Sequence, residues 1–353
     1  MKHITCIMLA AFSCATTIAF AQAPAPDKVA QVAKGELKEA RASWWGFDKD
    51  DSTVFLEKAI NSKVPRLIID KMPSPWITAR ELKLPSNIEI VFEEGTVLEA
   101  KRWCFKGLAD SLVTISQVSN DTLRGLGKGA TWLMHKADYH TDAYKKAEWR
   151  TTLNLLSCSN IRVENLTFKD SGGDGIYFGV SKVGVFPTDI VIRNVICDGH
   201  NRQGISVIAG VNCLVENCKL INTWGTPPAA GIDFEPNHKG EAIKGFVLRN
   251  VESYNNKGGG YMFYLLNMDI SSGPLEITLE NCTSRNEGTS PFSFYTNNGP
   301  GFDRPGLVHV KNCTFEDCPA GVSVVGTSAK GFKTLFENVT IRNIGTNNPR
   351  AVP

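Results

Sequence analysis

Ile190-Val191-Ile192-Arg193-Asn194-Val195 is one copy of the motif that decides the fold of this chain. In each copy, a short apolar segment with the periodicity of a strand runs into a charged residue and then Asn. Seven such charged-Asn pairs occur, with Asn-to-Asn steps of 29, 23, 33, 31, 31 and 26 residues. A period of roughly 20 to 50 residues is typical of a solenoid, because each repeat is one unit stacked on the last. The repeated residues are Asn165, Asn194, Asn217, Asn250, Asn281, Asn312 and Asn338.

A second motif, Gly-Ile-x-Phe or a close variant, follows the charged-Asn pairs, and its copies begin 29, 27, 29, 31 and 30 residues apart. Two strands per coil, joined by turns rich in Gly, Asn, Ser and Thr, predict an all-β parallel β-helix. We expect the repeated Asn to lie in buried turns and to bond through its amide to the Asn of the next coil. The copies of the second motif begin at Gly175, Gly204, Gly231, Gly260, Pro291 and Gly321.

The domain organisation follows from where this rhythm begins and ends. Lys2 and an apolar run that ends in Ala19-Phe20-Ala21 are typical of a cleavable export signal, which predicts a secreted or periplasmic protein. Asp51 or Ser52 is expected to begin a short helix that closes the N-terminal end of the stack. The predicted segments are a signal peptide at 1–21, a linker at 22–43, the β-helix at 44–346 and a tail at 347–353.

The amino-acid composition of the chain limits the classes of partner that it can bind. The 353 residues carry a formal net charge of +2, and only 21% of them are charged. A nucleic-acid partner would require a basic surface, so none is predicted. Beyond the N-terminal segment, no apolar run approaches the roughly 18 residues of a membrane helix, so no membrane partner is predicted. The repeats do not determine the oligomeric state.

The cysteines follow the repeat. Cys218, Cys282 and Cys313 each come directly after a repeated Asn, where other coils carry Leu or Val. We expect them to be small inward-facing apolar residues. Cys282 and Cys313 lie on adjacent coils, so a disulfide between them stays an alternative. No Cys/His spacing suggests zinc.

These motifs together resemble the pectate-lyase-like superfamily of right-handed parallel β-helices, over roughly residues 44 to 346. The matching features are the segment Asp50-Asp51-Ser52-Thr53, the charged-Asn pairs and the Gly-Ile-x-Phe strands. The resemblance implies right-handed coiling and a carbohydrate partner, a polysaccharide or an oligosaccharide. Fold does not determine function, and the same scaffold also serves epimerases and adhesins.

A comparison with the pectinase family supplies one catalytic candidate and removes others. Gly173-Asp174-Gly175 resembles the first acidic motif of that family, which implies that Asp174 is a catalytic acid. Arg202-Gln203 stands where the family has a pair of Asp residues, and Ala229-Ala230 stands where it has His. The pectinase mechanism therefore does not transfer to this chain.

The main catalytic candidates come from the strand pattern. In Gly231-Ile232-Asp233-Phe234-Glu235, the apolar residues face inward, so Asp233 and Glu235 are expected side by side on the outer face. Residues two apart on a strand are separated by about 6.6 Å, and the carboxylates would be about 5 to 9 Å apart. That span includes both retaining and inverting glycosidase geometries.

Neighbouring coils supply the predicted substrate contacts. Tyr264 and Tyr295 continue the column of Glu235 and are expected to form a flat aromatic strip. Tyr177 and Ser206 precede Asp233 in its column. The other expected contacts are His200, Arg202 and Gln203 on the preceding turn, and His238 in the following loop.

Three functions remain open. The first is a glycoside hydrolase that uses Asp233 and Glu235 with help from Asp174. The second is a lyase, in which Arg202 and His200 would act and calcium could bind Asp174 and Asp198; without a dense acidic cluster, no metal or other cofactor is predicted. The third is a non-catalytic glycan-binding β-helix. The stretch from Thr131 to Arg150 interrupts the repeat and is expected to fold over one face, where its cations and aromatic residues suit an anionic glycan.

Overall fold

The computed structural model describes residues 22–297, 305–328 and 330–345. Within them the chain forms a stack of coils with three sheets, and every pairing between the strands is parallel. The predicted signal peptide at 1–21 and the tail at 347–353 lie outside the described residues. No helix in the described part of the chain is long and apolar enough to cross a membrane.

The first sheet contains the apolar segments of the charged-Asn motif, and its strands end at the charged residue before each Asn. Two short strands, Gly210–Val211 and Ile243–Lys244, pair beside the main path of this sheet. The main strands are Glu39–Arg41, Arg66–Ile69, Glu89–Phe92, Ser119–Gly125, Ser159–Glu164, Thr188–Arg193, Leu214–Glu216, Phe246–Arg249, Leu275–Glu280, Gly306–Lys311 and Phe332–Glu337.

The second sheet contains the Gly-Ile-x-Phe motif, with its Ile and Phe side chains in the core. Its strands are Leu82–Lys83, Val113–Ser116, Leu153–Leu156, Ile176–Gly179, Gln203–Val207, Ala230–Phe234, Tyr261–Tyr264, Phe292–Tyr295 and Ser323–Val325.

The third sheet was not predicted, because the expectation of two strands per coil is wrong. Each of its strands is only three or four residues long, and in the repeated coils it begins one or two residues after the Asn. Only the Asn, or the Asn and one further residue, thus separates two strands that read as one apolar segment in the sequence. The strands are Trp76–Thr78, Val97–Ala100, Ala130–Leu133, Leu166–Lys169, Ile196–Asp198, Lys219–Ile221, Glu252–Tyr254, Thr283–Arg285, Thr314–Glu316 and Thr340–Arg342.

The seven repeated Asn residues form the turn between the first and third sheets. All seven adopt a left-handed backbone conformation, with φ between 51° and 56°. Asn is one of the few non-glycine residues that tolerate this conformation. Amide bonds join some of them between coils: Asn250 Nδ2 donates to Asn217 Oδ1 at 2.9 Å, and Asn338 Nδ2 donates to Asn312 Oδ1 at 2.8 Å. The predicted burial is wrong, because most of these Asn residues are exposed at the outside of the turn.

The N-terminal end differs from the prediction of a linker at 22–43. Residues Pro26–Ala33 form a helix, and Glu39–Arg41 pairs with Arg66–Ile68 as the first strand of the stack. The predicted capping helix is present at Thr53–Ile60, and Leu56 and Ile60 close the apolar interior of the first coils. A short helix at Lys136–Tyr139 and 3-10 turns at Ala42–Trp45 and Ile270–Ser272 complete the described helical elements.

The interior is filled by columns of identical positions from successive coils. The rings of Phe234 and Phe263 stack with centroids 4.8 Å apart and an angle of 2°. Cys218, Cys282 and Cys313 are buried and unpaired, as small inward residues. The backbone N–H of Cys282 donates to the Sγ of Cys313 at 3.4 Å, so these two coils meet through a thiol contact.

The left-handed turn gives a test of what the repeated Asn supplies. We expect Asn250→Ala to lower the free energy of unfolding by about 1 to 2 kcal/mol, because a Cβ disfavours this conformation and the amide bond to Asn217 is lost. Asn250→Gly loses the same amide bond but adopts a positive φ freely, so its loss should be smaller. Urea unfolding of the two variants measures the difference. Equal losses would show that the amide bond, and not the backbone conformation, is what stabilises the turn.

Candidate functional site

The predicted site lies on the outer face of the second sheet, around Tyr177, Ser206 and Asp233, and is called the wall below. The parallel register aligns one position of three successive coils there in a column. Tyr177 pairs with Ser206, and Ser206 pairs with Asp233. The residues on either side of Asp233, Ile232 and Phe234, are fully buried in the core. The sheet therefore presents Tyr177, Ser206 and Asp233 on one side, as the alternation predicted.

Asp233 is held in a nearly dry position. Only 2% of the residue is exposed, although its side chain points away from the core of the stack. Its Oδ2 accepts a hydrogen bond from Gln203 Nε2 at 3.1 Å. Burial raises the pKa of Asp233 well above its ordinary value, and the nearby charge of Glu235 adds to this effect. Asp233 therefore lies on the outer face of the sheet, as expected, but is shielded from solvent there.

Asp174 is also buried, one coil before Gln203. Its Oδ1 accepts the backbone N–H of Gln203 at 3.1 Å, and 1% of the residue is exposed. Burial raises the pKa of Asp174 to about 7, although the charge of Arg202 acts in the opposite direction. Gln203 thus joins the two acids, with its backbone bound to Asp174 and its side chain bound to Asp233.

Glu235 has a different environment from these two acids. Its Oε2 accepts from Arg202 Nη2 at 2.8 Å, and 28% of its side chain is exposed. Arg202 also lies 3.5 Å from a carboxylate oxygen of Glu148. The partly buried guanidinium of Arg202 therefore faces two carboxylates, and its positive charge offsets the negative charge of Glu235.

Glu148 belongs to the stretch from Thr131 to Arg150, which was expected to fold over one face; the contact of its carboxylate with Arg202 was not predicted. Residues 131–133 remain in the third sheet, and the chain then covers the turn at 171–175. At Gly173 a Cβ would lie 2.7 Å from the carbonyl oxygen of Glu148, so only glycine permits this close approach. Arg150 anchors this covering segment, called the cover below, because its Nε donates to the carbonyl of Phe105 at 3.0 Å.

The wall also concentrates buried polar atoms that have no hydrogen-bond partner in the described part of the chain. Buried polar atoms normally have partners, and exceptions are frequent where a protein binds or reacts. Here four such atoms come from residues of the same wall, in addition to Arg202 Nε, which has only the ion pair with Glu148 at 3.5 Å. They are Asp174 Oδ2, Gln203 Oε1, Ser206 Oγ and Asp233 Oδ1.

The aromatic contacts differ from the predicted flat strip. Tyr264 and Tyr295 are paired in register, but their rings are 6.4 Å apart and tilted by 53°. Tyr264 is 41% exposed and is available to a ligand. Tyr177 is mostly covered, and its hydroxyl accepts from Asn237 Nδ2 at 3.5 Å. Each ring can pack separately against a ligand, but the rings do not form a continuous surface.

The two predicted histidines have different environments. His200 is fully buried, with its Nδ1 2.8 Å from the Oγ of Ser171, and its contact with substrate stays a prediction. Burial lowers the pKa of His200 to about 3, which leaves the ring neutral. His238 is exposed in the loop after Glu235, and its backbone N–H donates to Glu241 Oε2 at 2.9 Å.

The structure gives no support to the calcium pair of Asp174 and Asp198. The Asp198 carboxylate accepts from Asn222 Nδ2 at 2.8 Å and lies 3.3 Å from Lys169 Nζ. Across residues 22–297, 305–328 and 330–345, no three His, Cys, Asp or Glu side chains are grouped so as to hold a metal ion.

The raised pKa of Asp174 predicts a pH-dependent stability. The folded state binds more protons than the unfolded state between about pH 4, the ordinary pKa of Asp, and pH 7, so this residue lowers stability as the pH rises through that window. Asp174→Asn keeps an oxygen that can accept from Gln203 but cannot ionise. We expect the variant to gain on the order of 3 kcal/mol relative to wild type at pH 8, and little at pH 4. Urea unfolding at both values measures this, and an equal difference at the two values would contradict it.

Comparisons with known proteins agree with this architecture. Residues 145–343 match a family described as the right handed beta helix region. An uncharacterized SPbeta prophage-derived protein of Bacillus subtilis (strain 168), YorA, is 20% identical over 224 residues. These residues are 61% of this chain and 33% of the relative, so the chain spans about a third of that protein's length.

Two solved structures show the same fold at low identity. An iota-carrageenase in complex with iota-carrageenan fragments has a TM-score of 0.51 at 16% identity, over 81% of this chain and 56% of that one. The A-module of the mannuronan C-5 epimerase AlgE6 of Azotobacter vinelandii has a TM-score of 0.54 at 13% identity, over 85% and 79%. At such identities the likeness establishes the fold alone. With three parallel sheets in one stack and a family match over more than half of its length, the chain belongs to the right-handed β-helix family.

Proposed function

We propose that this protein is an exported carbohydrate-active enzyme that hydrolyses glycosidic bonds of a polysaccharide or oligosaccharide at the wall of Asp174, Asp233 and Glu235. The observation that carries the proposal is the group of buried, unpartnered polar atoms around two carboxylates whose pKa values are raised. Such a group costs stability, and perturbed carboxylates of this kind concentrate at functional sites. The solved carrageenase supports the carbohydrate class, since it shares the fold and binds a polysaccharide fragment.

The two acids of the central strand have the environments that hydrolysis requires. Asp233 is the general acid, because burial favours its protonated form near neutral pH. Glu235 supplies the second carboxyl group, which Arg202 contacts at 2.8 Å. Two carboxyl groups in different environments can act as a pair.

The proposed reaction moves one proton in each direction. Asp233 donates its proton to the bridging oxygen as the bond from that oxygen to the anomeric carbon breaks. An oxygen then bonds to the anomeric carbon. It comes either from a water that loses its proton to Glu235, or from Glu235 itself, which is then displaced by a water that loses its proton to Asp233. The spacing of about 6.6 Å along the strand is compatible with both routes. Asp174 assists by holding Gln203, whose amide is bound to Asp233 at 3.1 Å.

Substrate must displace part of the cover to reach Asp233. The contact between Arg202 and Glu148 at 3.5 Å is longer than the contact between Arg202 and Glu235, and about a third of the Glu148 side chain is exposed. We expect Glu148 to be the group that moves. The same movement would expose the unpartnered oxygens of Gln203 and Ser206 to sugar hydroxyls.

The lyase alternative has a weak base in this geometry. Elimination needs a group that removes the C5 proton, and burial lowers the pKa of His200, the predicted partner of Arg202, to about 3. Arg202 is already bound to Glu235. Hydrolysis is therefore the better match to the residues that the wall presents.

The decisive experiment compares wild type with Asp233→Asn on a panel of plant and algal polysaccharides. Reducing ends and the ultraviolet absorbance of unsaturated uronides are recorded together. We expect reducing ends without absorbance, and a loss of about 10² to 10⁴-fold in turnover for Asp233→Asn with little change in substrate affinity. The matched control is Asp189→Asn, the same change at an exposed residue of the first sheet, which should keep full turnover.

Two other outcomes would replace the proposal. Absorbance from unsaturated products would make the protein a lyase. Binding without products in any reaction, unchanged by Asp233→Asn, would make it a non-catalytic glycan-binding protein.

A further inference from the structure

A second concave site lies at the ends of the third-sheet strands, on another face of the stack from Asp233. It is a groove of about 410 Å³ between strand Val97–Ala100, the helix Lys136–Tyr139 and the turn that carries Trp224. A volume of this order accommodates a small organic ligand such as one or two sugar rings. The residues that define it here are Glu99, Arg102, His135, Lys136, Asp170 and Trp224.

The charged groups of this groove are already arranged in compensating pairs. Arg102 Nη1 lies 2.7 Å from both carboxylate oxygens of Asp138, and His135 Nε2 lies 3.1 Å from Glu99 Oε1. Burial lowers the pKa of Lys136 to about 7, although the charges of Asp170 and Asp198 act in the opposite direction. The groove thus has three carboxylates, one guanidinium and an amine that is only partly charged at neutral pH, so it has no excess positive charge for an anionic ligand.

Trp224 gives the groove a fixed apolar surface. Lys136 Nζ lies 3.8 Å from the centroid of the indole ring and donates to the carbonyls of His200 at 3.3 Å and Trp224 at 3.1 Å. The ring of His140 stacks on the indole at 5.7 Å and 19°, and His140 Nε2 lies 2.8 Å from Asn201 Oδ1. The side chain is thereby held in place while 38% of the residue stays exposed. An exposed but immobilised aromatic ring costs little entropy when a ligand packs against it.

We propose that this groove is a second carbohydrate site, which binds a neutral sugar residue through Trp224, Arg102 and the paired carboxylates. Sugar C–H groups pack against the exposed part of the indole, while hydroxyl groups donate to Glu99 and Asp170 and accept from Arg102. A sulfate or uronate would meet three carboxylates and bind less well. The groove does not require the wall of Asp233 to be catalytic, so the two proposals can fail separately.

Isothermal titration of the mature protein with neutral trisaccharides tests the proposal. The probes are maltotriose, cellotriose, mannotriose and xylotriose, with trigalacturonate as the anionic comparison. We expect at least one neutral probe to bind with a Kd in roughly the millimolar range, more tightly than trigalacturonate. Trp224→Ala should weaken that binding by about tenfold or more.

Two matched variants assign the binding to the groove. Trp149→Ala removes a Trp that is 49% exposed outside the groove, and Asp233→Asn alters the acidic wall. Both should bind the neutral probe within about twofold of wild type. Should Trp224→Ala fail to fold in a thermal melt, Arg102→Gln replaces it, since the Arg102 side chain is 57% exposed and lies on the rim.

The outcomes are distinct. Absence of binding for every neutral trisaccharide, or binding unchanged by the groove variant, overturns the second site. Turnover that is lost in Asp233→Asn, together with neutral-sugar binding that is lost only in the groove variant, supports both proposals.

Discussion

The left-handed turn at one Asn in each of seven coils is the constraint on which the rest of this structure depends. A single residue with φ near 54° redirects the chain from the first sheet to the third, and the parallel ladders on both sides keep successive coils in register. Register in a sheet decides which side chains share a face, because a shift by one residue exchanges the two faces. The column of Tyr177, Ser206 and Asp233 exists because this register is kept over three coils.

The carboxyl groups of the wall differ in their burial and in the charges that surround them. For Asp233, desolvation and the like charge of Glu235 exceed the stabilisation that Gln203 and Arg202 give to the ionised form, so the pKa rises. Glu235, two residues along the same strand, is more exposed and receives the short ion pair with Arg202. Two carboxyl groups of similar intrinsic acidity thereby acquire different environments. Neither environment depends on the fold class itself, since both arise from Arg202, Gln203 and the covering segment.

The local sequence pattern was sufficient to predict the repeated strands of the fold. The charged-Asn pairs and the Gly-Ile-x-Phe strands predicted a parallel β-helix, its capping helix and the residues that share the column of Asp233. The same pattern did not predict the third strand, because the turn into it occupies only one or two residues. The segment at 22–43 was misinterpreted as a linker, since its pairing partner Arg66–Ile68 lies more than 20 residues away in the sequence. Local composition carries no information about such a pairing.

Burial was the property that the sequence could not predict, and burial is what distinguishes the candidate functions. Alternation gives the direction of a side chain from the sheet, but solvent exposure also depends on segments that return from elsewhere in the chain. The cover that contains Glu148 comes from outside the regular coils and reaches the turn next to Asp174 only because Gly173 has no side chain. His200 belongs to the same turn as Arg202, yet one lies inside the stack and the other faces two carboxylates. Members of this fold family share the coils, so the differences between a hydrolase, a lyase and a binding protein have to come from such covering segments and from the few polar side chains beneath them.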